Sequence, residues 1–168
     1  MPSPLTILLG QFKPSVFHEI TIAIELQAWL RALGITAKNP TSKGRMPIEV
    51  RHPSEHVKLA TTNAVITNWH RDGLGNYESY LPSGGKTLTT GDVDLDSERL
   101  LTPSILWLIL WSNGTPTELM DKDRNRIYFE PYDVVAVNNH EVYHRCPPNE
   151  DGRWFVRLAD PILPVSML

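Results

Sequence analysis

Three observations predict a mainly β chain, an all-β sandwich or barrel behind one N-terminal helix. Short runs rich in β-branched and aromatic residues recur along the later chain. Turn signals separate them at even spacing, and one apolar rhythm of three- and four-residue steps stands near the N-terminus. With 168 residues and 41% hydrophobic content, the chain fits one globular domain with a sizeable core, so residues 1–168 read as a single domain.

In chain order, PLTILL (residues 4–9) reads as a short strand and Gly10 to Pro14 as its turn. A helix follows over about 15–34. Phe17, Ile20 and Ile24, then Leu26, Leu30 and Leu33, keep the helical step, Ser15 stands at the N-cap position and Gly34 at the stop. That apolar stripe predicts a helix packed against a sheet. Residues 37–46 (AKNPTSKGRM) are an exposed loop. Strands are expected at Pro47–Arg51 and Val57–Asn68, the latter rich in β-branched residues. Gly73, Gly75, Pro82, Gly84 and Gly85 mark a loop-rich stretch carrying Tyr77 and Tyr80. Further strands are expected at Lys86–Thr90, Ser104–Trp111, Arg126–Glu130, Asp133–Val137, Val142–Cys146 and Arg153–Ala159, with NGTP, DKDRN, EPYD and PPNEDG as turns between the later ones.

A net charge of −3 supplies no general attraction for nucleic acid, and no basic stripe interleaved with aromatics can be placed on one face. Cys146 is the only cysteine, which excludes an intramolecular disulfide and a cysteine-rich zinc site and suits a reducing, cytoplasmic setting. MPSPLTILLGQF lacks the basic leader of a secretory signal, and no run approaches the ~20 apolar residues of a membrane span.

The residues that carry chemistry are His70-Arg71-Asp72 and the distant His144. Two imidazoles and one carboxylate form the facial triad that leaves positions of an Fe(II) ion open. The two-residue spacing of His70 and Asp72 puts both side chains on one side of an extended segment. His140 competes as third ligand, but Asn138 and Asn139 put it at or near a turn, which favours His144. Arg153 follows nine residues after His144. In a strand it shares a face with Phe155 and Arg157, while Trp154, Val156 and Leu158 share the other. If the last three strands are neighbours, His144 and Arg153 come together. Asn63 and Thr67 are candidates for hydrogen bonds to a cosubstrate, and Pro116-Thr117-Glu118 for shaping the site.

This order of residues resembles the Fe(II)- and 2-oxoglutarate-dependent dioxygenase superfamily, whose pattern is His-x-Asp/Glu, a distant His, then Arg or Lys about ten residues later. The resemblance covers roughly residues 57–160. It implies a double-stranded β-helix, or jelly roll, with its core over about 47–160 and the N-terminal helix packed on the sheet. It implies Fe(II) held by His70, Asp72 and His144, 2-oxoglutarate gripped at its distal carboxylate by Arg153, with Arg157 as the alternative anchor, and O2 as the oxidant. A planar guanidinium suits that task because it offers two parallel donors to a carboxylate. The expected reaction is hydroxylation of a protein side chain or a small molecule, with release of succinate and CO2. The alternatives are a non-catalytic jelly-roll binding module and a cupin-like metalloenzyme without 2-oxoglutarate. The cupin histidine pair with its following glutamate is missing, and Arg153 is the discriminating feature.

Overall fold

The computed structural model describes residues 6–62, 69–70, 76–80, 86–90, 107–109, 117–121, 123–139, 141–146 and 153–168. In chain order the elements are β1 (Thr6–Gln11), α1 (Glu19–Ala32), β2 (Thr36–Ala37), β3 (Ile48–Arg51), α2 (Pro53–Thr62), β4 (Asn76–Tyr80), β5 (Lys86–Thr90) and β6 (Trp107–Ile109). They continue with β7 (Glu118–Met120), β8 (Arg126–Ile127), β9 (Asp133–Val137), β10 (Tyr143–Arg145), β11 (Phe155–Leu158), β12 (Pro161–Ile162) and a 3-10 turn at Val165–Met167. The chain is mainly β, arranged in several small antiparallel sheets.

Asp133–Val137 explains the layering. All five residues of β9 are buried, because the strand lies between β1 and β6 and both of its faces are covered. Val134 and Ala136 pack with Ile22, Leu26 and Leu30 of α1. Val135 and Val137 point the other way, to Leu119 of β7 and Val142. A strand covered on both sides reads as a continuous apolar run, as the VVAV of residues 134–137 does after Asp133. Each fully buried valine contributes about 1.5–3 kcal/mol relative to an exposed one.

β11 pairs with β3, Phe155 opposite Arg51 and Arg157 opposite Glu49, and lies against β6. On the far side of β9, β10 pairs with β7 and β7 with β8. An isolated bridge between His70 and His144 extends this second group beyond β10. The β7–β8 turn, DKDRN, is tied by Asp121 Oδ1, which accepts from the backbone N–H groups of Asp123 (2.9 Å) and Asn125 (2.8 Å). In β1, Gly10 has φ +139°, and a Cβ there would sit 3.2 Å from the Trp29 ring, so glycine lets α1 approach the strand.

Several expectations need correction. Pro53–Thr62 is a helix where a strand over Val57–Asn68 is expected; residues 63–68 lie outside the described residues. Its start signals outweigh the β-branched composition. Proline occupies the first helical position, His52 Nδ1 accepts from Ser54 N–H (3.1 Å), and Glu55 lies in the first turn. α1 begins at Glu19, capped by His18, while Ser15 donates through its N–H and hydroxyl to Glu25 (2.9 and 2.6 Å). The helix buries Ile22, Leu26 and Leu30, and Ile20 and Ile24 face outward. Tyr77 and Tyr80 belong to β4, which pairs with β5, rather than to a loop. Strand β7 lies between two turn signals and is too short to stand out by pattern. β9, β10 and β11 are not neighbours in one sheet, so the route that brings His144 and Arg153 together is a different one.

Candidate metal centre

His144 sits at the middle of β10, opposite Leu119 of β7. On the other side its backbone exchanges hydrogen bonds with His70: His70 N–H donates to the His144 carbonyl (3.1 Å) and His144 N–H to the His70 carbonyl (2.9 Å). Directly opposed residues in an antiparallel pair project to the same face, so the bridge sets the two imidazoles side by side. Both are buried. Their ring centroids are 4.3 Å apart, with the planes at 59°.

That separation fits two ligands of one ion. With a metal–nitrogen bond of about 2.1 Å and a ring radius of about 1.1 Å, imidazoles at right angles on an ion put their centroids about 4.5 Å apart. The tautomer fits as well. His144 Nδ1 lies 3.0 Å from the Val142 carbonyl, and a carbonyl only accepts, so Nδ1 carries the proton, and in the neutral ring Nε2 carries the lone pair. This is the usual outer contact of a metal-binding histidine.

The opposite face of the same strands is locked by charge and aromatic contact. Trp69, one residue before His70, lies under the guanidinium groups of Arg145 (4.7 Å) and Arg126 (5.1 Å). Glu118 pairs with both arginines, at 3.2 Å to Arg145 and 2.5 Å to Arg126. Cation–π contacts contribute about 0.5–2 kcal/mol each. Together they tie Trp69 to β10, β7 and β8, and hold the His70–His144 register from behind.

Arg153 lies just before β11 and is almost fully buried, at 2% exposure. Its guanidinium donates to Thr117 Oγ1 and to Cys146 Sγ, and lies 5.7 Å from the centre of the Phe155 ring. Thr117 immediately precedes β7 and Cys146 follows β10, so the side chain runs from the β11 side to the strands that carry His144. Burial pulls the guanidinium below the ordinary arginine value, and the Cys146 sulfur acts in the opposite direction. An arginine remains a cation in either case.

Arg157 is placed differently. Its Nε donates to Glu49 Oε2 at 2.6 Å, at an exposed position on the β11–β3 pair. The expected alternation otherwise holds, since Trp154, Val156 and Leu158 all enter the core that α1 covers.

His70, His144 and Arg153 are therefore buried within one part of the fold. Asp72, His140, Asn63, Thr67 and Pro116 lie outside the described residues, and among the described residues no group of three His, Cys, Asp or Glu side chains is placed to hold a metal ion. Cys146 and the Trp69 stack are additions to the expected site. The signal for Cys146 was its place two residues after His144, on the same face of an extended segment. Among the described residues no helix is long and apolar enough to cross a membrane. Comparison of the chain with protein-family models, curated proteins and solved structures finds no match.

Proposed function

We propose that this chain is an Fe(II)- and 2-oxoglutarate-dependent oxygenase of jelly-roll fold. The observation that carries the reading is the His70–His144 bridge, with its 4.3 Å ring separation and the Val142 carbonyl holding the His144 tautomer. The strand order supports the fold. β3, β6, β9 and β11 fall on one side, and Trp69–His70, β7, β8 and β10 on the other. Apart from β1, which adds to the first side at β9, and the separate β2–β12 and β4–β5 pairs, the two sides read in chain order first, second, first, second, second, first, second, first, the alternation of an eight-stranded double-sheet jelly roll.

In this reading His70 and His144, with Asp72 as the carboxylate expected from the sequence, would hold the iron. Bound there, Fe(II) would supply an open coordination face for the oxoacid and for O2. The backbone bridge fixes both rings, and the Val142 carbonyl keeps the His144 proton on Nδ1. Arg153 would grip the distal carboxylate of 2-oxoglutarate. Its depth favours this over a metal site with no oxoacid. Leu119, Val137 and Val142 surround the same interior, and their low polarity strengthens a guanidinium–carboxylate contact. Arg157, already engaged with Glu49 at the surface, is the weaker anchor. The prime substrate in this reading is a protein side chain or a small molecule.

The test is anaerobic addition of Fe(II) and 2-oxoglutarate, read as the weak visible charge-transfer band of a chelated oxoacid. The band is expected in the wild-type chain and is lost in His144→Ala and Arg153→Ala. Absence of the band in the wild-type chain, or an unchanged band in either variant, overturns the assignment.

A further inference from the structure

We propose that the outer face of α1 and the adjoining β3 form the interface of a two-fold dimer of this chain. α1 turns Ile22, Leu26 and Leu30 to the core, yet its outer face is also apolar. Ile20 and Ile24, one turn apart, are 65% and 64% exposed. Isoleucines four residues apart form a ridge along the helix. That ridge and the Ile48 and Val50 side chains of β3 wall a groove of about 590 Å³. Scattered single apolar residues on a surface need no explanation, whereas a ridge beside an apolar groove marks a contact site.

The charges that line it identify the occupant as a second copy. Glu19, the first residue of α1, and Arg45 both line the groove. Arg45 lies next to Met46, whose N–H donates to Gln27 Oε1 at 2.6 Å, and Gln27 is about 12 Å along the helix from Glu19 at 1.5 Å per residue. Neither Glu19 nor Arg45 has an ion-pair partner among the described residues. A two-fold axis beside the ridge, between it and the groove and level with Ile20 and Ile24, sets two α1 helices antiparallel. Each ridge then enters the other copy's groove, and each Glu19 meets the other copy's Arg45. Such a patch, complementary to itself, is the property that a closed two-fold interface requires. This inference does not depend on the oxygenase reading.

Sedimentation equilibrium of the full chain from about 1 to about 100 µM tests it. A monomer–dimer equilibrium is expected for the wild-type chain. Ile24→Glu should give a monomer that melts where the wild-type chain does at a dilution at which that chain is also monomeric, because the residue is exposed in the single chain. Glu19→Arg should weaken the dimer about 10-fold or more, and the double variant Glu19→Arg with Arg45→Glu should recover that loss, since the charges are merely exchanged. The proposal is overturned if the wild-type chain is monomeric throughout, if Ile24→Glu still dimerises, or if the exchanged pair fails to restore what Glu19→Arg removed. Monomeric behaviour would leave the face to a different protein.

Discussion

Replacing Thr117 by valine keeps the outline of the side chain and removes the oxygen that accepts from Arg153 Nη1. Thr117 is 3% and Arg153 2% exposed, so bulk water does not restore the bond. A hydrogen bond to a charged group contributes about 1.5–3 kcal/mol, and the extra methyl returns up to about 0.8 kcal/mol of apolar burial. The net loss is about 1–2 kcal/mol, equivalent to a fall of roughly 2–8 °C in melting temperature for a chain of this size. Thr117→Ser keeps the acceptor and loses only the methyl, so it should stay within about 1 kcal/mol of the wild-type chain. If Arg153 anchors 2-oxoglutarate, the valine variant should also bind it about 10-fold more weakly, because the guanidinium is no longer held in one orientation. Calorimetric melting and anaerobic titration of both variants read the two effects. Equal destabilisation by serine and valine would refute the reasoning, since the hydroxyl would then contribute nothing beyond its methyl neighbour.

Two further outcomes follow from the packing and the surface charges. Leu26→Ala, at a fully buried position between α1 and β9, should cost about 2–5 kcal/mol, measured as a lower denaturant midpoint with an unchanged slope. The Glu49 carboxyl titrates below the ordinary carboxylate value; partial burial by itself would raise it, but hydrogen bonds and charges from Arg157 and Arg51 together outweigh that. A lowered folded-state pKa stabilises above the unfolded pKa and is lost as pH falls from about 5 to about 3. Glu49→Gln should therefore show a slightly shallower fall of melting temperature over that window, slight because the pair is partly exposed. An identical slope would mean that the pair adds no acid sensitivity.

Where a segment's own pattern matched its surroundings, the sequence was readable. Asp133–Val137 and Lys86–Thr90 are strands with the expected limits, and the alternation of Trp154, Val156 and Leu158 against Phe155 holds. Both α1 and the later strands stand close to where periodicity puts them. The failures have particular causes. In Val57–Asn68 a β-branched composition competed with helix start signals at His52, Pro53 and Glu55, and over Pro53–Thr62 the start signals won. In α1 two apolar stripes were available, and only packing on β9 and β11 shows that Ile22, Leu26 and Leu30 face inward. β7, three residues long, has too little length for a pattern.

The chain alone determined which residue types were present, at which spacing, and on which kind of element: a histidine on a late short strand, arginines at one strand parity, a mainly β rhythm behind a helix. Local periodicity carries that information because side-chain direction along a strand or helix depends only on position within it. The tertiary structure decided who meets whom. His70 and His144 come together through a backbone bridge between segments far apart in the chain, and no local pattern encodes the register of such a pair. It also separated two arginines of equal parity. Arg157 falls opposite Glu49 at the surface, while Arg153, just ahead of the same strand, reaches inward to Thr117 and Cys146. Burial and partner depend on where neighbouring strands begin and end, and that is a property of the assembled sheets.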